Sequence, residues 1–483
     1  MPAQLTFAAS AADLQGVDAL LVVGRAARLV QPDVLALLPA GLPEPLFRQM
    51  VRKTEPGDHG RVATTWLDGA PSRLHVGVLP EACSRHNAPS RAWAIPAMVS
   101  AASKGNLGVV LALEHADHAA ASALAVARAL PTFSATSSTV ERQARVLLLA
   151  PGDQALPDLA RLDLAAEAVR RAAHETDEPP DRLGCDALVE RARAVGAAVG
   201  ATVTVLRRDA LRDQGCGGLF GVGRAAAQEP ALVILDHAPA DAARTVAWVG
   251  KGIVYDTGGL SLKTKTSMPG MKTDKAGALA VLAAFEAAAR AGAPDRIVAA
   301  LCIAENAVGP EAIRPDDVLT MFSGKTVEVN NTDAEGRLVL SDGVAWVVRH
   351  FSPDVLIDLA TLTGAQAVAT GKRHAAVYCS DEALEAEAVR VGRRTGDLVH
   401  PVPYAPELLR AEFRSPVADM RNSVKDRSNA QPSCAGQFIG NHLAAVGYDK
   451  PWLHVDMAAP AVSSSGRGTG YGVGLLLGLA GLL

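Results

Sequence analysis

Val249-Gly250-Lys251-Gly252-Ile253-Val254-Tyr255-Asp256-Thr257-Gly258-Gly259 decides how this chain folds. The run from Thr245 to Tyr255 has the apolar, β-branched content of a buried strand and leads directly into a glycine pair. Ala276 to Ala291 then reads as a long alanine-rich helix, and Arg296 to Ile303 as the next strand. Strand, helix and strand in that order make a βαβ crossover, which implies a mainly parallel sheet. Such sheets collect ligands at the loops beyond the carboxyl ends of their strands. Asp256 stands at one such end. Lys251 lies near the end of the same inner strand, where a charged side chain is costly without a partner.

The pattern repeats on either side. Thr202 to Leu206 and Ala231 to Leu235 are short apolar strands, and Val327 to Asn330 precedes a helix over Val339 to Arg349 and a strand over Val355 to Leu359. Earlier in the chain, Ala19 to Val23, Leu74 to Val78, Gly108 to Leu113 and Arg145 to Ala150 read as strands, with a helix over His118 to Leu130. Leu156-Pro157-Asp158 marks an exit from this first part, and a helix over Asp163 to Glu175 is ended by Asp177-Glu178-Pro179-Pro180-Asp181. A chain of 483 residues suits two domains. The expectation is an α/β fold with a smaller N-terminal α/β domain, residues 1–160, and a larger C-terminal α/β catalytic domain with a mainly parallel central sheet, residues 161–483.

Composition narrows the function classes. With 49% hydrophobic and 20% charged residues, the chain has the makeup of a well-buried globular protein. Its net charge of −4, with no long Lys/Arg run, gives no electrostatic reason for a nucleic-acid or membrane-surface partner. Six cysteines without C-x-x-C spacing argue against a disulfide framework and a thiolate zinc site. Met1-Pro2-Ala3-Gln4-Leu5-Thr6 lacks the basic start and apolar run of a signal peptide. Val473 to Leu483 is too short to span a bilayer and is broken by Gly474, Gly478 and Gly481. A soluble cytoplasmic protein is expected.

Chemistry concentrates in two places. Asn330-Asn331-Thr332-Asp333-Ala334-Glu335-Gly336-Arg337-Leu338 sets two carboxylates two residues apart, with a guanidinium two further on. On an extended backbone Asp333 and Glu335 share a face, and two like charges so close repel unless a cation lies between them. One or two divalent metals would satisfy them. Upstream, Met268-Pro269-Gly270-Met271-Lys272-Thr273-Asp274-Lys275 places Asp274 at the start of the long helix, where its ordinary role is an N-cap. Singly, each group has a structural explanation. Together they supply the carboxylates and amines of a charged pocket. Other motifs fail: Ser323-Gly324-Lys325-Thr326 lacks the earlier glycine of a phosphate loop, where Leu319 stands. No convincing strand precedes Gly221-Val222-Gly223-Arg224-Ala225-Ala226, and neither G-x-S-x-G nor H-E-x-x-H occurs. His454, in an expected strand, reads as a structural group.

The combination resembles the leucyl aminopeptidase family of co-catalytic dimetal exopeptidases. The Asn331 to Leu338 run is similar to that family's signature, and the Gly-Lys-Gly, Asp-Thr-Gly-Gly and Met-Lys-x-Asp elements match it in type and spacing. Tyr255 to Lys263 with Met268-Pro269-Gly270-Met271 looks closest to the probable-aminopeptidase-like branch. The likeness continues through Asp358 to Ala365, Ala418 to Asn422 and His454-Val455-Asp456.

The resemblance implies two adjacent divalent ions, Zn or Mn with Mg and Co as alternatives, on Lys251, Asp256, Asp274, Asp333 and Glu335. By analogy, Asp256 and Glu335 bridge the ions, Asp333 serves one, and Lys251 with Asp274 serves the other. It further implies a metal-activated water attacking the peptide carbonyl, Lys263 stabilising the oxyanion, and Arg337 holding a bicarbonate that shuttles a proton. Peptide substrates with Leu-like N-terminal residues and a homohexamer follow from the same likeness. Lys275 departs from it, standing where relatives usually carry an uncharged residue, and could disturb the metal site if it faced the pocket. Two alternatives are a narrow dipeptidase, such as one cleaving cysteinylglycine, and a DNA-binding or regulatory protein.

Overall fold

The computed structural model describes residues 3–137 and 141–483. Contacts divide it into two units, one formed by residues 1–171, 390–398 and 481–483 and the other by residues 172–389 and 399–480.

In the first unit, strands β1 (Ala3–Ala8), β2 (Ala19–Gly24), β3 (Val62–Trp66), β4 (Arg73–Val78), β5 (Leu107–Ala112) and β6 (Arg142–Leu149) form one sheet in the order β1-β6-β5-β2-β4-β3. All pairs are parallel except β3 with β4. β2 and β5 are buried along their whole length, the continuous apolar reading of strands covered on both faces. Leu29, Phe47, Val51 and Leu74 anchor one core of this unit.

The second unit holds an eight-stranded sheet. Its members are β7 (Thr202–Arg207), β8 (Ala231–His237), β9 (Thr245–Asp256), β10 (Arg296–Asn306), β13 (Val355–Ala360), β14 (Ala375–Cys379), β15 (Val399–Pro401) and β17 (Trp452–Asp456). The order is β15-β14-β17-β13-β9-β10-β8-β7, with β9 and β13 at the centre. The pairs around that centre, β17 with β13, β13 with β9 and β9 with β10, are parallel. A small second sheet joins β11 (Val318–Thr320), β12 (Thr326–Glu328) and β16 (Met420–Arg421).

Alternation along β9 assigns its two faces. Val249 meets the helix Gly336–Phe351, where a Cβ on Gly343 would lie 3.2 Å from Val249 Cγ1. Gly250 meets the opposite layer, the helix Ala276–Arg290. Both helices are almost wholly buried, and Val249, Cys302, Leu338, Val344 and Phe438 belong to one continuous core. Among the described residues no helix is long and apolar enough to cross a membrane.

Candidate metal centre

β9 delivers two side chains to the site. Its ladder with β13 ends where Gly250 faces Leu359. Lys251 is the next residue, and its Nζ donates to the Thr361 carbonyl at 2.9 Å. Glycines let the neighbouring elements approach it. A Cβ on Gly250 would sit 2.5 Å from Ala278 Cα, and one on Gly277 would sit 2.2 Å from the Leu359 carbonyl oxygen. The 3-10 turn Met271–Lys275 is thereby held against the strand. Asp274 Oδ1 lies 2.9 Å from Lys251 Nζ and accepts from Thr361 Oγ1 at 2.7 Å. From the other side comes Gly336, the first residue of its helix, where a Cβ would stand 2.7 Å from Lys251 Nζ. Glu335 Oε1 is 2.8 Å from the same nitrogen. Asp274 therefore faces the lysine rather than capping the helix, whose cap position belongs to Lys275.

After Asp256 the chain turns through Gly258 and Gly259, with φ of +85° and +63° that an L side chain would strain. The turn returns Lys263, whose Nζ lies 2.8 Å from Asp256 Oδ2 and 2.5 Å from Asp333 Oδ1. Asp256 Oδ1 accepts from the Gly258 N–H and from Asn306 Nδ2, both at 2.8 Å. Thr332 joins the two motif loops, its Oγ1 donating to the Gly258 carbonyl at 2.6 Å and accepting from the Ser261 N–H at 2.7 Å.

The backbone beneath Asp333 and Glu335 is not extended. β12 ends at Glu328, and the following residues make a turn. The Asp333 N–H donates to Asn331 Oδ1 at 3.0 Å. Asn422 Oδ1 accepts from the N–H groups of Asn330 and Asn331 at 2.9 and 3.3 Å. Its Nδ2 donates to the carbonyls of Asn331 and Ala334 at 2.7 and 3.2 Å. These side chains take the backbone groups that a strand ladder would have used. Oxygens of Asp256, Asp333 and Glu335 still come within 4.8 Å of one another. A turn does this, not strand alternation.

Four carboxylates thus face two ammonium groups. Burial raises the pKa of Glu335, reinforced by the Asp256 carboxylate, and burial likewise raises those of Asp274 and Asp333. Burial works against the Lys251 ammonium, but Asp274, Glu335 and Asp256 outweigh it and raise its pKa; Asp256 and Asp333 do the same for Lys263. Asp274 Oδ2 and Glu335 Oε2 remain buried without a hydrogen-bond partner. Hard oxygen donors, an amine and excess negative charge form a donor set that fits divalent cations.

Arg337, two residues on, is buried. Its Nη1 donates to the Asn422 carbonyl at 3.2 Å while Nε has no partner, and burial brings its pKa down to about 10. Lys275 does not face the cluster: its Nζ donates to the carbonyls of Glu178 and Lys272. His454 is held within the sheet by Asp358, Nδ1 to Oδ1 at 2.6 Å, and Asp358 Oδ2 accepts from Trp452 Nε1 at 2.7 Å. Four supporting residues receive no role from the sequence alone: Asn306, Thr361, Asn422 and Asp456. Asp456 holds the Thr361 loop by accepting from the Leu362 N–H at 3.1 Å and from Thr363 Oγ1 at 2.6 Å. Thr361, Asn422 and Asp456 fall within stretches that match the family, whereas Asn306 is a single amide at a strand end that no motif marks.

Comparison with known proteins agrees over most of the chain. Residues 170–477 match the profile described as the cytosol aminopeptidase family, catalytic domain, and residues 21–139 match M17 aminopeptidase N-terminal domain 2. Probable aminopeptidase NPEPL1 of Mus musculus is 49% identical over 417 residues, covering 84% of this chain and 79% of that protein. The structure of leucyl aminopeptidase from Trypanosoma brucei in complex with bestatin is similar, with TM-score 0.92, 36% identity and coverage of 100% and 96% of the two chains. The bottromycin maturation enzyme BotP in complex with Mn gives TM-score 0.79 at 28% identity, covering 96% of this chain and 100% of that one.

Proposed function

The chain belongs to the cytosol aminopeptidase family, and we propose that it releases the N-terminal residue of peptides, Leu-like residues foremost, through a pair of divalent cations. The observation that carries this is the convergence of Lys251, Asp274 and Glu335 on one side and Asp256, Asp333 and Glu335 on the other. Lys251 with Asp274 would hold one cation, Asp333 the second, and Asp256 with Glu335 would bridge them. Zn and Mn suit these donors, with Mg and Co as alternatives, and the Mn in the similar BotP structure supports a dication. When bound, such ions lower the pKa of water and polarise a carbonyl.

The chain's own residues do the rest. Lys251 would serve as a neutral amine, because a neighbouring dication disfavours the protonated form. Lys263, 2.8 Å from Asp256 Oδ2 and 2.5 Å from Asp333 Oδ1, lies outside the proposed donor set and would keep its proton. Its ammonium is therefore available to a developing oxyanion. Arg337 Nε offers a buried, unpartnered donor that fits a small anion such as bicarbonate, whose chemistry there would be carriage of a proton. Met268 and Met271, half-buried on the loop and turn leading to Asp274, suit an apolar substrate side chain. A cytoplasmic homohexamer belongs to the same proposal, tested by light scattering of the purified chain.

The test uses metal-stripped full-length protein and a leucine chromogenic amide. Hydrolysis restored by Mn or Zn and lost again with chelator is the expected result. Folded protein that takes up two ions per chain yet cleaves neither the amide nor leucyl peptides would overturn the Leu-directed activity.

A further inference from the structure

A lysine with no exposed surface must have its charge answered inside the protein. Lys275 is such a residue. Its Nζ donates to the Glu178 carbonyl at 2.8 Å and, back along its own turn, to the Lys272 carbonyl at 2.6 Å. Lys272 Nζ donates to the Asp177 carbonyl at 2.5 Å. Asp177 ends the helix Leu159–Asp177 and Glu178 follows it. The last carbonyls of a helix lack partners within it and carry its negative pole, so lysine N–H donors there are well placed.

That anchor is itself braced. The Asp177 carboxylate accepts from Arg467 Nε at 2.5 Å and from the Gly468 N–H at 2.8 Å, and Glu178 accepts from Arg191 Nη2 at 3.2 Å. One residue before Lys275, the same turn presents Asp274 to Lys251 and Thr361. A 3-10 turn of five residues has little stability of its own, so these ties add to the glycine contacts that hold it against β9.

We propose that Lys275 is a positioning residue for Asp274. By tying the turn Met271–Lys275 to the Glu178 carbonyl, it sets that carboxylate where the cation shared with Lys251 binds. The proposal rests on the dimetal reading above and adds a residue outside the donor set. Its consequence is selective: loosening the turn weakens the cation on Lys251 and Asp274 and spares the one on Asp333.

The test compares full-length wild type, Lys275→Met and Lys272→Met, each stripped of metal and titrated with Mn2+ by calorimetry. Metal content, circular dichroism and the metal-free thermal midpoint are measured alongside. Lys275→Met is expected to fold with an unchanged spectrum and to bind two ions, one with a dissociation constant raised at least tenfold. At saturating Mn2+ its kcat should stay within threefold of wild type, a split that a general packing defect does not produce. Two unchanged constants in folded Lys275→Met would overturn the proposal, as would equal weakening of both ions together with a lowered midpoint. Should Lys275→Met fail to fold, Lys272→Met decides: one weakened site supports the proposal, and two unchanged sites overturn it. Wild type that binds no Mn2+ would defeat the dimetal reading and the proposal with it, and that outcome is seen before any substitution is made.

Discussion

Lys251 and Lys263 each stand between two carboxylates, yet the proposed chemistry asks opposite things of them. Lys251 is enclosed by Gly336 and the Thr361 carbonyl, with 3% of its side chain exposed, and is placed to become a ligand. Lys263 arrives on a loop with 15% of its side chain exposed and is placed to remain a cation. Removing it should cost chemistry rather than metal. Lys263→Met is expected to lower kcat by about 10²–10³-fold, the usual loss for one oxyanion donor. Two ions per chain by mass spectrometry should remain; loss of metal in parallel with activity would make Lys263 a counter-ion only. Asp333→Asn should differ, since it removes a proposed donor. It is expected to abolish turnover and weaken metal uptake while leaving the circular dichroism spectrum unchanged, and an active Asp333→Asn would remove that residue from the site.

At the scale of elements, the strand–helix contact at Gly250 and Gly277 sets the distance between Lys251 and Asp274. A Cβ on Gly277 would meet backbone, the Leu359 carbonyl, which no rotamer change relieves. Gly277→Ala should therefore lower the thermal midpoint, at a cost of about 1–3 kcal/mol for overpacking, and reduce activity. Gly57→Ala, with nothing within 4 Å of the added carbon, should do neither. The helix Gln431–Ala445 supplies a pH prediction. His442 is fully buried, its Nδ1 2.7 Å from Ser323 Oγ, and burial brings its pKa down to about 3. The folded protein thus resists a proton that the unfolded chain accepts near pH 6.5, so stability holds above that pH and falls as pH drops from there through 3. His442→Leu should flatten this part of the midpoint-versus-pH curve; an unchanged slope would show that carboxylates alone set it. These elements also show what a sequence displays. β9, the helix Ala276–Arg290 and β10 are legible because burial on both faces leaves continuous apolar runs. The turn carrying Asp333 and Glu335 is not, because Asn422, some ninety residues later, shapes it. The destination of Lys275 was equally hidden, since its partners are carbonyls of Glu178 and Lys272, and carbonyls leave no mark on residue type.

For the whole molecule, metal binding should act unevenly. The proposed donors come from β9, the turn Met271–Lys275 and the segment before the helix Gly336–Phe351, all within residues 172–389. The sheet formed by β1 to β6 has its own core around Leu29, Phe47 and Leu74 and contributes no proposed donor. A ligand that binds only the native state stabilises it by about 2.7 kcal/mol at a hundredfold excess over its dissociation constant. Mn2+ should accordingly raise the unfolding temperature of metal-stripped protein. Hydrogen exchange should locate the gain: amides of 256–263, 271–275 and 330–337 become protected, because ions replace the repulsion among four carboxylates with attraction. Amides of β2, β4 and β5 should exchange at the same rate with or without metal. Equal protection across both units would mean that metal acts on the molecule as a single cooperative body, and a donor set confined to one unit would no longer account for its stability.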